Sequence, residues 1–456
     1  MRGIGWDDSR TPDFHDDLLI VRVHRGAGAA HATGTMGRGL SQLARLERDG
    51  HLRSLHVLDH RAHAPAATLR HALARASAHR GREAHTGSVL IRLRHTKHRQ
   101  RLHQALADDP HIHWAHRVPC RYVGAAKAPE LPVQRMWHHP AIRLAEARAM
   151  RAFREPRTIR VAVLDTGVDR DHPALRGRIA RYEHRIGGVH PSPDDIAGHG
   201  THVSGIIAAA DREIGVRGMC HPKLSVYKIF GDRSVPIVNA GKSFRIFLVD
   251  PVAYYAALGD CLRRGMDVIN LSLGGTGASD PHERALVQSL IAAGTVVVAA
   301  MGNTTVDRTQ VSYPAAIPGV IAVGAVGPSG MIANFSRIGA HITLVAPGES
   351  IWSTLPRQPG EFGFAIAKDG APLPGPNPLQ RNVRYDAWPG TSMACPQVTA
   401  AVAMLLATRG QMTPAEVQRR LKRSAEPLAA MRGKRFTPTY GAGRLNVERL
   451  LARTEH

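Results

Sequence analysis

Three short segments carry the side chains that nucleophilic acyl transfer requires: an aspartate, a histidine and a serine. Asp165 ends the apolar run 161–164, where open α/β sheets place their ligands. His199 starts a helix-like run, and Ser392 precedes the apolar run 398–407, which predicts a helix N-terminus that favours developing negative charge. In such a set the histidine takes the hydroxyl proton, the aspartate orients the histidine, and the serine attacks.

Short apolar runs after residue 136 indicate how these side chains are positioned. Near-continuous apolar strands separated by helix-like segments are typical of a parallel sheet covered by helices on both faces, so we predict an α/β fold. Two longer stretches, 231–250 and 355–389, interrupt the pattern, and loops of that length border a functional cleft or are disordered. The predicted strands are 159–164, 224–230, 268–273, 296–300 and 320–324.

The first 126 residues have a different pattern and predict a separate small α+β domain. Strand-like runs at 18–23, 52–58, 88–93 and 112–118 alternate with helical patterns at 40–46 and 99–108. The order β-α-β-β-α-β is that of a ferredoxin-like module, with an Ala-rich and Arg-rich stretch after residue 58 that adds at most a helical turn. We therefore divide the chain into domain 1–126, linker 127–135 and domain 136–456.

Alone, each chemical segment is weak evidence, since Asp-Thr-Gly after a strand is often a turn and a histidine in a glycine-rich turn is often structural. Together, in the order Asp, His, Ser, they resemble the subtilisin-like serine proteases (subtilases, peptidase family S8). The resemblance covers residues 136–450. It continues through five further motifs: 270–275 (NLSLGG), 299–303 (AAMGN), 313–316 (YPAA), 321–326 (IAVGAV) and 441–446 (GAGRLN).

The resemblance implies a serine endopeptidase that needs no cofactor and acts on polypeptides. Asp165, His199 and Ser392 match the triad, and Asn303 matches the asparagine that forms the oxyanion hole with the Ser392 backbone N–H. The strand 272–274 matches the edge that pairs with an extended substrate. With no acidic residue among the pocket positions we expect an apolar or broad preference before the scissile bond, the alternative being that these small residues only pack closely. The substrate positions are Ser272, Leu273, Gly274, Gly275, Ala300, Gly302 and Ser312.

Subtilases commonly hold a structural calcium ion, and the matching positions here have lost ligands. The stretch from Asp169 has Ala174 where a carboxylate is usual, and Arg212 stands where an asparagine is usual. Alanine offers no side-chain oxygen and arginine brings positive charge, so we predict no metal there. Arg212 either pairs with a local carboxylate in place of the cation or is a solvated surface residue.

The resemblance also gives the first domain a meaning, because secreted subtilases carry prodomains of the same order that assist folding and inhibit the active site. An autocleavage junction is then expected between Tyr122 and Leu131, the alternative being an unrelated regulatory or targeting module. This region holds 16 of the 27 histidines and a net charge of +9. Protonation near pH 6 could release the domain, although compositional drift explains the histidines equally simply.

Composition suggests a competing class of function. The 456 residues carry a formal net charge of +23, which invites a basic binding protein for nucleic acid or an acidic partner, with proteolysis secondary. Only 8 of the 60 basic residues are lysines, a bias that GC-rich codon usage also produces, and no nucleic-acid-binding motif is present. Nucleic acid is therefore an unlikely partner. Within the enzyme class, an esterase or a peptide ligase could use the same residues.

The remaining features indicate the compartment. The four cysteines are widely spaced, which predicts neither zinc site nor disulfide framework, and Cys395 is expected to pack rather than act as a second nucleophile. No signal-peptide or membrane-spanning pattern is found, so we expect a cytoplasmic protein without membrane contact. A prodomain instead implies export, by an atypical route or with a misassigned start codon.

Overall fold

The computed structural model describes most of the chain in two sheet-based parts. The residues described are 14–24, 27–58, 64–78, 87–123, 136–184, 195–210, 216–239, 242–304, 307–362, 365–366, 372–373 and 379–452.

An antiparallel sheet forms the first part, in the strand order β3-β2-β4-β1-β5. Its apolar core lies between the sheet and the helices, with Leu40, Leu43, Leu73 and Leu102 fully buried. The elements are β1 (Phe14–Val23), α1 (Ala27–Thr33), α2 (Arg38–Arg48), β2 (Leu52–Leu58), β3 (Ala64–Ala66), α3 (Leu69–Ser77), β4 (Ser88–Leu93), α4 (Arg99–Ala107) and β5 (Ile112–Pro119).

Two elements of this part, helix α1 and strand β3, were not predicted from the sequence, and helix α3 is longer than expected. The Ala-rich stretch forms the nine-residue helix α3, not a single turn, because Thr68 caps it by accepting from the His71 N–H at 3.2 Å. Its apolar residues then face the core at helical spacing. Helix α1 and strand β3 were missed because each is short and rich in alanine, which gives little periodic signal.

The second part is built on a seven-stranded sheet. Its first half contains α5 (His138–Ala141), α6 (Leu144–Ala149), β6 (Arg160–Asp165), β7 (Ile179–His184), α7 (His199–Ala208), β8 (Lys223–Lys228), β9 (Val235–Asn239), β10 (Lys242–Ile246), α8 (Pro251–Arg264), β11 (Val268–Leu271), α9 (Pro281–Ala292) and β12 (Val296–Ala300). Its second half contains β13 (Ile321–Val326), β14 (Leu344–Pro347), β15 (Ile351–Thr354), β16 (Glu361–Phe362), β17 (Ala365–Ile366), β18 (Pro372–Leu373), β19 (Leu379–Gln380), β20 (Tyr385–Trp388), α10 (Thr391–Arg409), α11 (Pro414–Ser424) and α12 (Val447–Leu451).

The large sheet is parallel throughout, in the order β14-β13-β12-β11-β6-β8-β7. Apolar clusters lie on both of its faces, which confirms the predicted α/β class. The edge strand β7 was missed because its sequence alternates with charged residues and none of it is fully buried. The two long interruptions contain the small antiparallel pairs β9 with β10, β16 with β19 and β17 with β18, and β20 in the second interruption pairs with β15 just before it.

Helix α10 is the central helix of the fold. Its residues are buried from Thr391 through Leu406, and it packs against the strands β11 to β14. Among the described residues it is also the one helix that is long and apolar enough to cross a membrane, with 89% of that stretch buried inside the protein. A core helix packed against a parallel sheet can be equally long and apolar, so burial inside the protein explains the apolar composition of α10.

Several histidines of the first part are shielded from water. Burial lowers the pKa of His15 to about 4, and burial also lowers the pKa values of His56 and His116. His15 is therefore neutral near pH 6, and His56 and His116 take up a proton less readily than a free imidazole. Release of the domain by histidine protonation stays a hypothesis.

Candidate active site

The aspartate and histidine predicted from the sequence are in direct contact. Asp165 is the last residue of β6, and His199 is the first residue of α7. Their side chains are fully buried, and His199 Nδ1 lies 2.7 Å from Asp165 Oδ1. The same oxygen accepts the Thr166 N–H at 2.7 Å, which fixes the carboxylate. This contact holds the imidazole with Nε2 available, and Nε2 has no hydrogen bond to any described residue.

Two features bring the start of α7 against the end of β6. A side chain at Gly200 would meet the Gly167 carbonyl oxygen at 2.2 Å, so only glycine permits this approach. The buried Asp195 then holds the first turn of the helix. One of its oxygens accepts from the Gly198 N–H at 2.8 Å and the Thr166 hydroxyl at 2.6 Å, and the other accepts from Thr201 through its N–H and hydroxyl.

Asp195 was not recognised from the sequence. The available signal was an acidic residue just before a helix start, where carboxylates commonly cap free N–H groups. In the sequence alone, an aspartate with this role looks the same as an ordinary loop aspartate, because its partner Thr166 is distant in the chain.

Ser392 lies in the first turn of α10, as predicted, and a chain of hydrogen bonds locks it to β11. The Thr399 hydroxyl donates to Asn270 Oδ1 at 2.9 Å, and the Asn270 amide donates to Ser272 Oγ at 2.9 Å. The Ser272 hydroxyl in turn donates to the Ser392 carbonyl at 2.9 Å. The Ser392 hydroxyl itself donates to the Ser272 carbonyl at 3.1 Å, so the nucleophile lies at the level of Ser272 on the strand.

Asn303 is held beside the same helix end. Its Oδ1 accepts from the Thr391 N–H at 3.0 Å and from the Thr391 hydroxyl at 2.8 Å, and its amide nitrogen has no hydrogen bond to the described part of the chain. A β-carbon placed on Gly390 would lie 3.4 Å from Asn303 Nδ2 and 3.6 Å from the Ser392 backbone nitrogen. The two donors thus converge on one small volume, which is the arrangement that binds an oxyanion.

An extended segment of the first part occupies the predicted substrate edge. The Tyr122 N–H donates to the Gly274 carbonyl at 3.1 Å, and the Gly274 N–H donates to the Tyr122 carbonyl at 3.2 Å. Tyr122 also bridges antiparallel to Leu248 on its other side, and the Val249 N–H donates to the Arg121 carbonyl at 2.9 Å. The segment 120–123, termed here the tail, therefore forms the middle strand of a three-stranded antiparallel arrangement.

The predicted pocket is narrow. A β-carbon on Gly274 would lie 2.7 Å from Ser312 Oγ, and one on Gly302 would lie 3.2 Å from it. The serine hydroxyl therefore sits between the two glycine backbones that form the walls. Arg337 packs behind Gly302, with its Cδ 3.1 Å from the same β-carbon position, and donates to two backbone carbonyls. This buried arginine was not predicted.

The three remaining residues predicted for the pocket do not all line it: they are Gly275, Leu273 and Ala300. Gly275 exchanges backbone hydrogen bonds with Tyr313 at 3.0 Å and so joins the wall to the loop that carries Ser312. Leu273 and Ala300 are only 2% exposed and belong to apolar clusters on opposite faces of the sheet. Ala300 therefore packs in the core.

In the region where relatives hold calcium, for which the sequence predicted no metal, Asp169 is paired with an arginine. Arg357 donates from Nε and Nη2 to the two oxygens of Asp169 at 2.8 and 3.0 Å, and its N–H adds a bond of 3.0 Å. Although burial opposes its ionisation, these bonds lower the pKa of Asp169 below its ordinary value. Ala174 is buried, and Arg212 lies outside the described residues.

Cys395 was expected to pack, and its environment fits that role. All four cysteines are buried, and burial raises the pKa of Cys395 to about 12. The side chain is thus a neutral thiol at ordinary pH, a poor nucleophile compared with a thiolate.

Comparison with known proteins agrees with this geometry. The model of the Subtilase family matches residues 157–443, which is more than half of the chain. The chain belongs to the subtilase family. Subtilisin NAT of Bacillus subtilis subsp. natto is 34% identical over 298 residues, which cover 64% of this chain and 65% of that protein. The major intracellular serine protease of Bacillus subtilis (strain 168) is 34% identical over 256 residues, 55% of this chain and 68% of that protein.

A solved structure resembles the whole chain in fold. Fervidolysin from Fervidobacterium pennivorans, a keratinolytic enzyme related to subtilisin, aligns with a TM-score of 0.63 and 20% identity. The alignment covers 99% of this chain, and therefore the small antiparallel domain as well, and 64% of that protein. The chain thus spans just under two thirds of the length of subtilisin NAT and of fervidolysin.

Replacing Asp195 tests how α7 is held. Asp195→Asn places an NH₂ group against donors, so we expect the free energy of unfolding to fall by about 2–4 kcal/mol. Asp307→Asn is the matched control, because Asp307 also accepts from an N–H and a hydroxyl of one threonine, Thr309, but is exposed. Urea denaturation measures both, and equal losses in the two variants would show that Asp195 has no special role.

The Asp169–Arg357 pair predicts metal-independent stability with a defined pH dependence. A lowered pKa stabilises the fold above about pH 3.9, the pKa of an unfolded aspartate, and that contribution is lost as the pH falls through the folded-state value. Arg357→Ala should remove about 1–2 kcal/mol at pH 7, because Arg357 is a third exposed. Thermal melts should be unchanged by EDTA, and a loss of stability that calcium restores would contradict the absence of a metal.

Proposed function

We propose that the protein is a serine endopeptidase that hydrolyses peptide bonds through Asp165, His199 and Ser392. The observation that carries this proposal is the buried 2.7 Å contact between Asp165 and His199, on a helix start that family members use for the same chemistry. Two oxyanion donors converge beside Ser392, as acyl transfer requires.

The mechanism of the family gives each of these groups its step. His199 Nε2 takes the proton of the Ser392 hydroxyl as Oγ bonds to the scissile carbonyl carbon. Asp165 holds Nδ1–H and stabilises the imidazolium, while Asn303 Nδ2 and the Ser392 N–H stabilise the carbonyl oxygen as it becomes negative. The imidazolium then protonates the leaving amine. Water, deprotonated by His199, releases the acyl group in the second half of the cycle.

We also propose that the first domain is a self-inhibiting prodomain whose tail is the first substrate. The tail already lies in the cleft in the antiparallel pairing of an extended substrate. The domain packs onto α8 and its neighbours through an apolar cluster that includes Leu18, Ile20 and Leu90. The family's prodomains supply the precedent.

The register of the tail suggests the junction. Tyr122 is opposite Gly274, so an uninterrupted antiparallel pairing sets residue 124 opposite Ser272. Ser392 Oγ is 3.1 Å from the Ser272 carbonyl, which puts the nucleophile at that level. The proposed cut is therefore between Gly124 and Ala125, both outside the described residues and within the interval expected from the sequence.

A glycine before the cut suits the narrow pocket. Because the Ser312 hydroxyl sits between the walls formed by Gly274 and Gly302, a small side chain fits there with the least displacement. The proposal therefore narrows the expected apolar or broad preference to glycine, alanine and serine. A peptide-library profile dominated by arginine or lysine at this position would overturn the pocket assignment.

Intact masses of purified full-length proteins test the self-processing. The wild-type chain should be cut between residues 124 and 125 into two fragments. Ser392→Ala should stay whole because it has no nucleophile. Asn303→Ala should process about 10²- to 10³-fold more slowly. Ser329→Ala, an exposed serine in a turn, is the control and should process like the wild type.

Two outcomes would refute the proposal. Cleavage of the Ser392→Ala chain at the same bond would mean that another protease cuts it. An uncut wild-type chain, together with no cleavage of added peptides, would mean that the cleft is not a peptidase.

A further inference from the structure

Arg121, the residue before Tyr122 in the tail, lies in an acidic pocket of the large domain. Arg121 is 3% exposed and donates from Nε and Nη2 to the two carboxylate oxygens of Glu283 at 3.2 and 2.7 Å. Its Nη1 donates to the Cys120 carbonyl at 3.1 Å. The geometry is a two-point pairing between a planar guanidinium and a carboxylate, which lysine cannot reproduce.

The pocket is prepared for a cation by the large domain alone. Glu283 lies in the first turn of α9 and accepts the Tyr254 hydroxyl at 3.1 Å. Beside it, Asp280 caps α9 by accepting the His282 N–H at 2.8 Å and also accepts the Tyr255 hydroxyl. Both carboxylates are nearly fully buried. Tyrosine hydroxyls and the helix start therefore orient the negative groups before any arginine enters.

The electrostatics of the pocket depend on its occupant. Burial opposes a charged guanidinium, but Glu283 outweighs that cost, and the pKa of Arg121 lies above its ordinary value. Burial, together with the neighbouring Glu283 charge, raises the pKa of Asp280 to about 6. A departing tail leaves two neighbouring carboxylates without the guanidinium that compensates them, so a cationic side chain is the occupant that the vacated pocket favours.

The position of the pocket relative to the reacting bond follows from the same pairing. With the proposed cut after residue 124, Arg121 is the fourth residue before it, and its carbonyl accepts the Val249 N–H. Any polypeptide that replaces the tail on the same strands places the fourth residue before its scissile bond in this pocket.

We propose that the pocket of Glu283, Asp280, Tyr254 and Tyr255 is a specificity subsite for an arginine side chain four residues before the scissile bond. The inference rests on the proposed endopeptidase function, which it deepens by naming a substrate class. Substrates are then polypeptides with arginine in this position and a small residue at the cut, the pattern that the chain's own tail displays as Arg-Tyr-Val-Gly.

Peptide cleavage by the full-length chain after self-processing measures the preference. Four quenched fluorescent peptides carry the sequence of residues 121–127, with arginine, lysine, alanine or glutamate as the first residue. We expect kcat/KM for the arginine peptide to exceed that of the alanine peptide by about 30-fold or more, with lysine between them and glutamate lowest. The Ser392→Ala protein gives the background.

Variants of the pocket assign the preference to its residues. Glu283→Gln should reduce the ratio of kcat/KM for the arginine peptide to that for the alanine peptide to a few-fold. Tyr254→Phe loses the hydroxyl that orients Glu283 and should reduce this ratio by a smaller factor. Glu146→Gln removes a carboxylate from a surface pair with Arg143 and should leave the ratio unchanged. Should Glu283→Gln fail to fold by circular dichroism, Tyr254→Phe still tests the assignment.

The outcomes separate the two proposals. Equal cleavage of all four peptides, or an arginine preference that survives in both Glu283→Gln and Tyr254→Phe, would overturn the subsite and leave the endopeptidase intact. A chain that neither cuts itself nor cleaves any of the peptides would overturn the endopeptidase and the subsite with it.

Discussion

The two domains are joined at the cleft by one short strand pairing, the tail between Leu248 and Gly274. A strand in this position uses main-chain hydrogen bonds, which any extended peptide can make, so the pairing itself has no sequence preference. What distinguishes this tail is the pair of residues at positions 121 and 124. Arg121 enters a pocket built from two carboxylates, and Gly124, two residues beyond Tyr122, is expected at a wall narrowed by Ser312. The same pairing therefore underlies both the proposed inhibition and the proposed substrate preference.

Buried carboxylates organise the surroundings of the cleft in a protein whose formal charge is +23. Asp165 orients His199, Asp195 holds the start of α7, and Asp169 is paired with Arg357. Each is compensated by hydrogen-bond donors, as buried charges must be. Arginine provides part of that compensation, which gives some of the 52 arginines a structural role and weakens the case for nucleic acid as the reason for the charge. The codon-usage explanation and these local roles are compatible.

The sequence predicted most of the sheet, and it placed the proposed reacting groups at the element ends where the structure has them, because both are local patterns. Asp165 follows an apolar strand, Ser392 opens an apolar helix, and Asn303 lies in a short motif of the family. Asp195, Arg337 and Arg357 were missed because their partners lie far away in the chain, and a lone charged residue in a loop carries no sign of its partner. Arg121 was missed for the same reason, since Glu283 is 162 residues away. The expectation for Arg212 stays a prediction, because Arg212 lies outside the described residues, and the arginine that meets Asp169 is Arg357.

Reaction with a fluorophosphonate tests the central claim, that His199 activates Ser392 in a cleft blocked by the tail. Attack by Ser392 Oγ on phosphorus forms a stable ester and expels fluoride, and peptide mapping locates the ester. We expect modification at Ser392 in the wild-type chain, at a rate that rises as the chain is cut and the tail leaves, and none in His199→Ala. Modification of another residue, or equal modification of the wild-type and His199→Ala chains, would contradict the account.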